Sequence, residues 1–223
     1  MAHGEPWKLL SRVDVSFDGE WSSLAKRIQP VLTDPGFRKT SVESYRTGRK
    51  RVSQTHTGTG GTKTVERDGS SVSVTYNGTA SEDTDQLDAA ALVSDAYTVF
   101  VFGSSWLSEN GGDLQLLPGR TLDGESCHIV SGILRPGFGN SPEDRFIAWI
   151  SKDGSLLRRF QFTLNGLEST RGADVEVTFQ ELKTAPGGTV WPTRFTERLQ
   201  RPFNIKAHEW RMTSLSLDGK KAF

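Results

Sequence analysis

Two neighbouring stretches decide the fold: IAWISKDGSLLRRFQF at residues 147–162 and ADVEVTFQEL at residues 173–182. In the second stretch, Val175, Val177 and Phe179 share one face, and the positions between them are polar. An apolar residue at every second position is typical of a half-buried β-strand. The Lys-Asp-Gly turn inside the first stretch is too short for a parallel crossover, so it predicts antiparallel pairing.

The same alternation, broken by Gly, Pro, Asp and Asn, continues outward in both directions along most of the chain. It predicts about eleven strands in one strongly curved antiparallel sheet, an incomplete β-barrel, because a flat sheet this wide would expose a large apolar face. The first hairpins are rich in Thr, Ser and Arg, which predicts that they face solvent. Strand signals lie at residues 13–17, 42–45, 52–56, 63–65, 72–76, 114–117, 127–134, 145–151, 156–164, 175–182, 190–199 and 210–217.

Helical spacing appears in one long segment. After an acidic stretch, the sequence DAAALVSDAYTVFVFGSSWL at residues 88–107 is apolar on nearly all sides. A helix of this kind must be buried on more than one side or must cover an apolar cavity. We predict a helical insertion at about residues 82–108 that forms a lid over the concave side of a single domain, residues 1–223. A short helical turn is expected within residues 22–32, where Pro30 interrupts any longer helix.

The composition excludes several classes of function. Lys and Arg number 27, as do Asp and Glu, so the net charge is zero and nucleic acid is not an expected partner. The single cysteine, Cys127, cannot form an internal disulfide and is predicted to be a small buried residue. No stretch of about 18 apolar residues is evident. The start, MAHGEPWKLL, lacks the charged region followed by an apolar core that is typical of a signal peptide.

No motif indicates a catalytic, metal or cofactor site. The Gly-rich run from Gly58, GTGGTKT, lacks the Gly-Lys pair and the following helix of a phosphate-binding loop. The four histidines, at positions 3, 56, 128 and 208, do not have the spacing of a zinc site. Alternation places Glu197 on the same face as Phe195, where it is predicted to pair with a basic residue such as Arg158, structurally or at a ligand headgroup.

The strand motifs resemble those of the LolA/LolB-like lipoprotein-carrier superfamily. The resemblance is carried by LDGESCHIV (122–130), IAWISKDGSLLRRFQF (147–162), ADVEVTFQEL (173–182) and GGTVWPTRF (187–195), and the helical insertion falls where that family has one. It implies an incomplete β-barrel lidded by helices, with an apolar cavity for acyl chains, in the bacterial envelope. The Thr-rich first hairpins and the missing long N-terminal helix depart from the carriers.

The predicted function is therefore binding, and possible carriage, of a lipid or other hydrophobic ligand by a non-enzymatic monomer. Its partners would be a lipid or lipidated protein, with transient contacts to envelope membrane proteins. The location is periplasmic if a signal peptide precedes this sequence and cytoplasmic if the N-terminus is native. The predicted cavity residues are Phe100, Phe102 and Trp106 in the lid and Trp149, Phe160, Phe162, Val177, Phe179 and Phe195 in the wall; Arg158 and Glu197 are the headgroup candidates.

Two alternatives remain open at this stage. Aromatic residues in strands are more often core than ligand site, so a filled core would indicate a non-catalytic interaction or scaffold domain. An enzyme acting on an envelope lipid or glycan would use Glu197 with Arg158.

Overall fold

In the computed structural model, which describes residues 10–47, 51–201 and 204–223, fourteen strands form one antiparallel sheet. The predicted fold class is confirmed, and the excess over eleven strands includes two strands of only two residues, β6 and β14. The strands are β1 Arg12–Trp21, β2 Thr40–Arg46, β3 Arg51–Gly58, β4 Gly61–Asp68, β5 Ser71–Tyr76, β6 Thr79–Ala80, β7 Gly111–Leu122, β8 Glu125–Leu134, β9 Asp144–Ser151, β10 Leu157–Leu164, β11 Ala173–Thr184, β12 Val190–Leu199, β13 Ile205–Leu217 and β14 Lys220–Lys221.

The order of the strands leaves the sheet open. Strands β1 to β6 follow one another outward to one edge, strands β13 back to β7 follow one another to the other edge, and β1 joins the two halves by pairing with β13. Within the described residues, edge strands β6 and β7 do not pair with each other. The chain passes from one edge to the other through a single long helix, which therefore crosses the concave face.

That helix, α3 (Thr84–Asn110), is the predicted insertion. Asp83 caps its start by accepting a hydrogen bond from the backbone N–H of Gln86 at 3.1 Å. The helix is kinked at Gly103, whose φ of 57° and ψ of −135° are not helical. Two short helices precede it, α1 (Ser23–Ile28) and α2 (Pro30–Thr33), and Pro30 begins α2 as the sequence indicated.

Helix α3 is long and apolar enough to cross a membrane by length and composition, although no such stretch was evident in the sequence. In the folded chain, 72% of its most apolar window is buried. Phe100 lies at the centre of the contact, with ring centroids 6.1 Å from Phe162, 6.0 Å from Phe179 and 5.7 Å from Trp210. The helix thus forms the middle of the hydrophobic core.

A β-bulge places Arg158 on the face opposite to the one that alternation predicts. Simple alternation from Phe160 would have put Arg158 and Leu156 on the inner face. The register shifts between Leu157 and Arg159, so Leu157 is the residue that joins the core. The guanidinium of Arg158 instead pairs with the carboxylate of Glu125.

The outer face carries a smaller apolar cluster of Leu122, Cys127, Ile129 and Trp149. Cys127 is fully buried, as expected from its place in an alternating apolar run. The guanidinium of Arg159 lies 5.0 Å from the Trp149 ring centroid and covers it from the solvent side.

Candidate functional site

The structure brings five of the six predicted wall residues onto one face. Phe160, Phe162, Val177, Phe179 and Phe195 are all buried in the main core on the concave side. The cross-strand register explains this, because Phe160 pairs with Val177, and Phe179 pairs with Phe195. Whether any of them contacts a ligand stays a prediction.

Trp149 does not belong to this face. It lies opposite Arg159, one position away from the Ala148–Phe160 pair, and a shift of one residue reverses the face of a strand. Its contacts are with the outer cluster. The prediction that Trp149 lines the concave wall was therefore wrong.

Helix α3 fills the space in which an open cavity was expected. Phe100 and Phe102 are buried, and Trp106, beyond the kink, is half-buried. Phe102 packs edge-to-face on Tyr45 with centroids 5.7 Å apart. Two cavities of about 20 Å³ and 10 Å³ lie at the N-terminal half of the concave face. Each has room for about one water molecule.

The concave face is polar in its N-terminal half, which contradicts the prediction that the first hairpins are solvent-exposed. Glu43 is buried and accepts hydrogen bonds from the Ser41 hydroxyl at 2.7 Å, the Gln54 amide at 3.0 Å and the Tyr45 hydroxyl. Burial raises the pKa of Glu43, although these three donors act in the opposite direction. Gln54 in turn accepts a bond from the Ser94 hydroxyl of α3 at 2.7 Å.

A buried ion pair joins strand β4 to the turn that follows α2. The Lys63 ammonium group is 2.7 Å from the Asp34 carboxylate, which also accepts a bond from the Tyr76 hydroxyl at 2.8 Å. Desolvation lowers the pKa of Lys63, and Asp34 opposes that change. The pair connects the turn to strands β4 and β5.

Arg38 occupies the centre of the polar region. Its Nη1 donates to the backbone oxygen of Leu32 at 2.7 Å, and its Nη2 donates to the hydroxyl of Tyr97 on α3 at 3.2 Å. The guanidinium carbon lies 5.1 Å from the ring centroid of Trp21 and 5.7 Å from that of Tyr97. Arg38 therefore joins α2, α3 and the end of β1.

An aromatic stack runs beside Arg38 along strands β1, β13 and β12. The ring centroids of Trp21 and His208 are 4.0 Å apart, those of His208 and Trp210 are 4.5 Å apart, and those of Trp210 and Phe195 are 5.1 Å apart. Burial lowers the pKa of His208 well below its usual value, and nearby Arg38 adds to the effect. Both effects favour the neutral form of the imidazole.

Glu197 extends the polar region toward the aromatic wall. It lies opposite His208 on β13 and Val177 on β11. Burial raises the pKa of this half-buried carboxyl to about 7, with Arg38 opposing the rise. The predicted pairing of Glu197 with Arg158 was wrong, because Arg158 is engaged by Glu125. The two headgroup candidates do not form one site.

A second, open concavity of about 920 Å³ lies on the outer face near the edge formed by β7. One row of its lining side chains crosses four strands in register: Gln115, Ser131, Ile147 and Gln161. Arg145 and Asp174 add charges of both signs. We call this concavity the outer groove; polar and apolar residues both line it.

The inner side of edge strand β7 is apolar and exposed. Leu114 and Leu116 are 50% and 72% exposed, and Leu116 pairs with Val130 on the inner face. Among the described residues, no group of three or more His, Cys, Asp or Glu residues is arranged to hold a metal ion. His3, with the rest of residues 1–9, lies outside the described residues.

Comparison with known proteins gives relatives in structure only. No family profile and no curated protein matches the sequence. A DUF1329 family protein from Desulfovibrio piger superposes with a TM-score of 0.55 at 12% identity, over 94% of this chain and 86% of that chain. A LolA superfamily protein from Nitrosomonas europaea gives a TM-score of 0.50 at 10% identity, over 92% and 84%. The chain therefore has the fold that its strand motifs predicted.

Proposed function

We propose that this protein binds a hydrophobic ligand, the acyl chain of a lipid or lipidated protein, between the concave face of the sheet and helix α3. It carries that ligand in the bacterial envelope as a monomer and catalyses no reaction. The observation that carries the proposal is an aromatic concave face on an open sheet, covered by one helix that is kinked at Gly103.

In the structure as described, α3 occupies the proposed acyl site, so binding requires part of the helix to move. The kink divides α3 into a longer segment, 84–102, and a short segment, 104–110, that reaches β7. Burying a chain of twelve methylene groups contributes about 10 kcal/mol before entropic costs. Losing the contacts of one or two aromatic residues costs a few kcal/mol each, so the exchange is within reach of such a ligand.

The exposed inner side of β7 is the proposed mouth of the site. Leu114 lies beside Gly132 and Phe146, whose ring belongs to the core. Exposed apolar side chains that continue into a core give an acyl chain a path that keeps it out of water. Displacement of the short segment of α3, which includes half-buried Trp106, would extend this path to Phe160 and Phe162.

The fold shared with the LolA superfamily protein supports the architecture of the proposal. The strand motifs also support acyl-chain binding, because the family they resemble has an incomplete barrel that accepts acyl chains. The periplasmic location and the lipid or lipidated partner are part of the proposal on the same ground.

A second candidate function is favoured by the filled core together with the outer groove. In that case the chain is an interaction module, and a polar partner lies across Gln115, Ser131, Ile147 and Gln161. The two candidates share Leu114 and Phe146 near the sheet edge, but Leu116 faces only the concave side and Gln115 only the outer groove, so substitutions at these two positions separate them.

Native mass spectrometry of gently purified protein, with organic extraction, tests the proposal. We expect a stoichiometric lipid-sized adduct, or one that forms when dodecan-1-ol is added. Leu116→Glu should weaken this binding at least tenfold, because it places a charge at the apolar mouth. Gln115→Glu adds the same charge one residue away on the outer face and should leave it unchanged. An apo mass that stays unchanged with added lipids would contradict the proposal and favour the interaction module.

A further inference from the structure

Arg38 is a buried cation that forms no salt bridge within the described residues. The residue is 9% exposed, and no carboxylate oxygen of the described residues lies within 4.0 Å of its guanidinium. The other buried cations of this half of the sheet are paired, Lys63 with Asp34 and Arg67 with Asp95 at 2.9 Å. A buried charge that lacks a partner is costly, so its retention indicates that something else supplies the negative charge.

The guanidinium has donors to spare. Of its five N–H groups, those in use go to the Leu32 oxygen and the Tyr97 hydroxyl, and Nε has no partner among the described residues. The indole nitrogen of Trp210 and the Nδ1 atom of His208 are also buried without partners there. Buried polar atoms are nearly always satisfied, so these unpartnered atoms around one guanidinium need an explanation.

The two small cavities border Arg38 on different sides. The cavity of about 20 Å³ is lined by Arg38, Tyr97, His208 and Trp210, and also by Asp18 and Lys39, which add one charge of each sign. The cavity of about 10 Å³ is lined by Arg38 together with Gln54, His56 and Lys63. One carboxylate oxygen is about the size of a water molecule and fits the larger cavity, and the second oxygen needs the movement of α3 that the proposed function already requires.

Glu43 and Glu197 interact with the charge of Arg38, since Arg38 opposes the rise in pKa of both, but within the described residues neither accepts a hydrogen bond from it. Lys63, His56 and His208 add no negative charge, and Arg38 itself helps lower the pKa of both histidines. Glu43 is occupied by three donors of its own. Burial raises the pKa of Glu197 to about 7, which favours its neutral form below neutral pH.

We infer that Arg38 is the binding site for the carboxylate of an anionic ligand, held by the free guanidinium N–H groups, the Tyr97 hydroxyl and the Trp210 indole N–H. A carboxylate suits this site because its two oxygens match the planar donor fork of arginine. The identity of the ligand as a fatty acid rests on the proposed function, which places the acyl chain along the neighbouring wall at Phe195 and Val177.

The first part of the test uses acetate as the probe and observes the indole N–H signals by ¹⁵N NMR, with chloride at equal ionic strength as the reference. Acetate should shift the Trp210 indole signal in the wild-type protein and should not shift it in Arg38→Lys, which keeps the charge but loses the fork. Trp210→Phe keeps the aromatic stack and removes one donor, and it serves if Arg38→Lys does not fold. Its acetate binding is followed by the indole N–H signal of Trp21, whose ring centroid lies 5.1 Å from the Arg38 guanidinium carbon, and should be weaker than in the wild-type protein. Arg135→Lys, an exposed and paired arginine, is the control.

The second part compares dodecanoic acid with dodecan-1-ol at pH 6.5. Charge-assisted hydrogen bonds should give the acid an affinity about 10- to 100-fold higher in the wild-type protein, and Arg38→Lys should lower the ratio of acid to alcohol affinity to about 1. No acetate shift together with equal binding of acid and alcohol would overturn the carboxylate site and leave the proposed function standing. An acetate shift with no binding of either long chain would keep the site and overturn both the acyl ligand and the proposed function.

Discussion

Replacing Gly103 with alanine should raise the affinity for acyl ligands by destabilising the closed position of α3. The φ of 57° and ψ of −135° at Gly103 belong to a region that residues with a side chain rarely adopt. Holding alanine there costs about 1–3 kcal/mol. If ligand binds only when this part of α3 has moved, the same free energy appears as a gain in apparent affinity of about 5- to 150-fold.

The assay is calorimetric titration with dodecan-1-ol, together with urea unfolding of the apo protein. Gly69→Ala is the matched control, because Gly69 also has a φ of 57° but lies in the turn between β4 and β5 with open space around it. That variant should lose about 1–2 kcal/mol of stability without a change in affinity. A Gly103→Ala protein that loses stability but binds no better than Gly69→Ala would refute the moving helix.

Three further predictions concern stability. Phe162→Ala should lower the free energy of unfolding in urea by about 3–5 kcal/mol, because the ring packs against Phe100. Asp34→Ala should cost about 3–5 kcal/mol in the same assay, because it leaves the buried ammonium of Lys63 without a partner. Glu197→Gln should gain stability relative to the wild type as the pH rises from 5 to 8, by about 1–3 kcal/mol, because the native pKa of about 7 lies above the unfolded value of 4.5.

Each of these has a comparison that can contradict it. A loss below about 1 kcal/mol for Phe162→Ala would show that the ring is not packed in a closed core. Asp113→Ala breaks an exposed pair with Arg135 and should cost about 0–1 kcal/mol. An equally small loss for Asp34→Ala would show that the buried pair does not stabilise the fold. Parallel pH profiles for the wild type and Glu197→Gln would show that the carboxyl titrates alike in the folded and unfolded states.

The architecture could be predicted from the sequence because the alternation of apolar and polar residues is a local pattern. The period of two around Val175, Val177 and Phe179 gave the inner face correctly, and the apolar run at residues 88–107 gave the buried helix. Local alternation predicted the wrong face for Arg158, because the bulge after Leu157 changes the register. The face of Trp149 was also predicted wrongly, because the sequence did not indicate which face of β9 points inward.

The polar half of the concave face was not predicted, because polar residues in a hairpin normally indicate solvent. Every residue at positions 53–57 of β3 is polar, which is typical of an exposed hairpin, and only the structure shows that Gln54 and His56 are buried. Gln54 is held inside by its hydrogen bonds to Glu43 of β2 and from Ser94 of α3. Arg38 lies in a short connection between α2 and β2, where its neighbours in sequence give no sign of Tyr97 or Trp210. Only the tertiary contacts of these polar residues identify them as part of the buried region.

The central claim is that an acyl chain lies on the concave face, and paramagnetic NMR with a spin-labelled acyl chain tests it most directly. The methyl groups of Val177 and Leu215 report on the concave core, whereas those of Ile133 and Ile147 report on the outer groove. We predict broadening of the Val177 and Leu215 methyl signals at stoichiometric ligand, with the two isoleucine signals unaffected. Broadening confined to Ile133 and Ile147 would contradict the account.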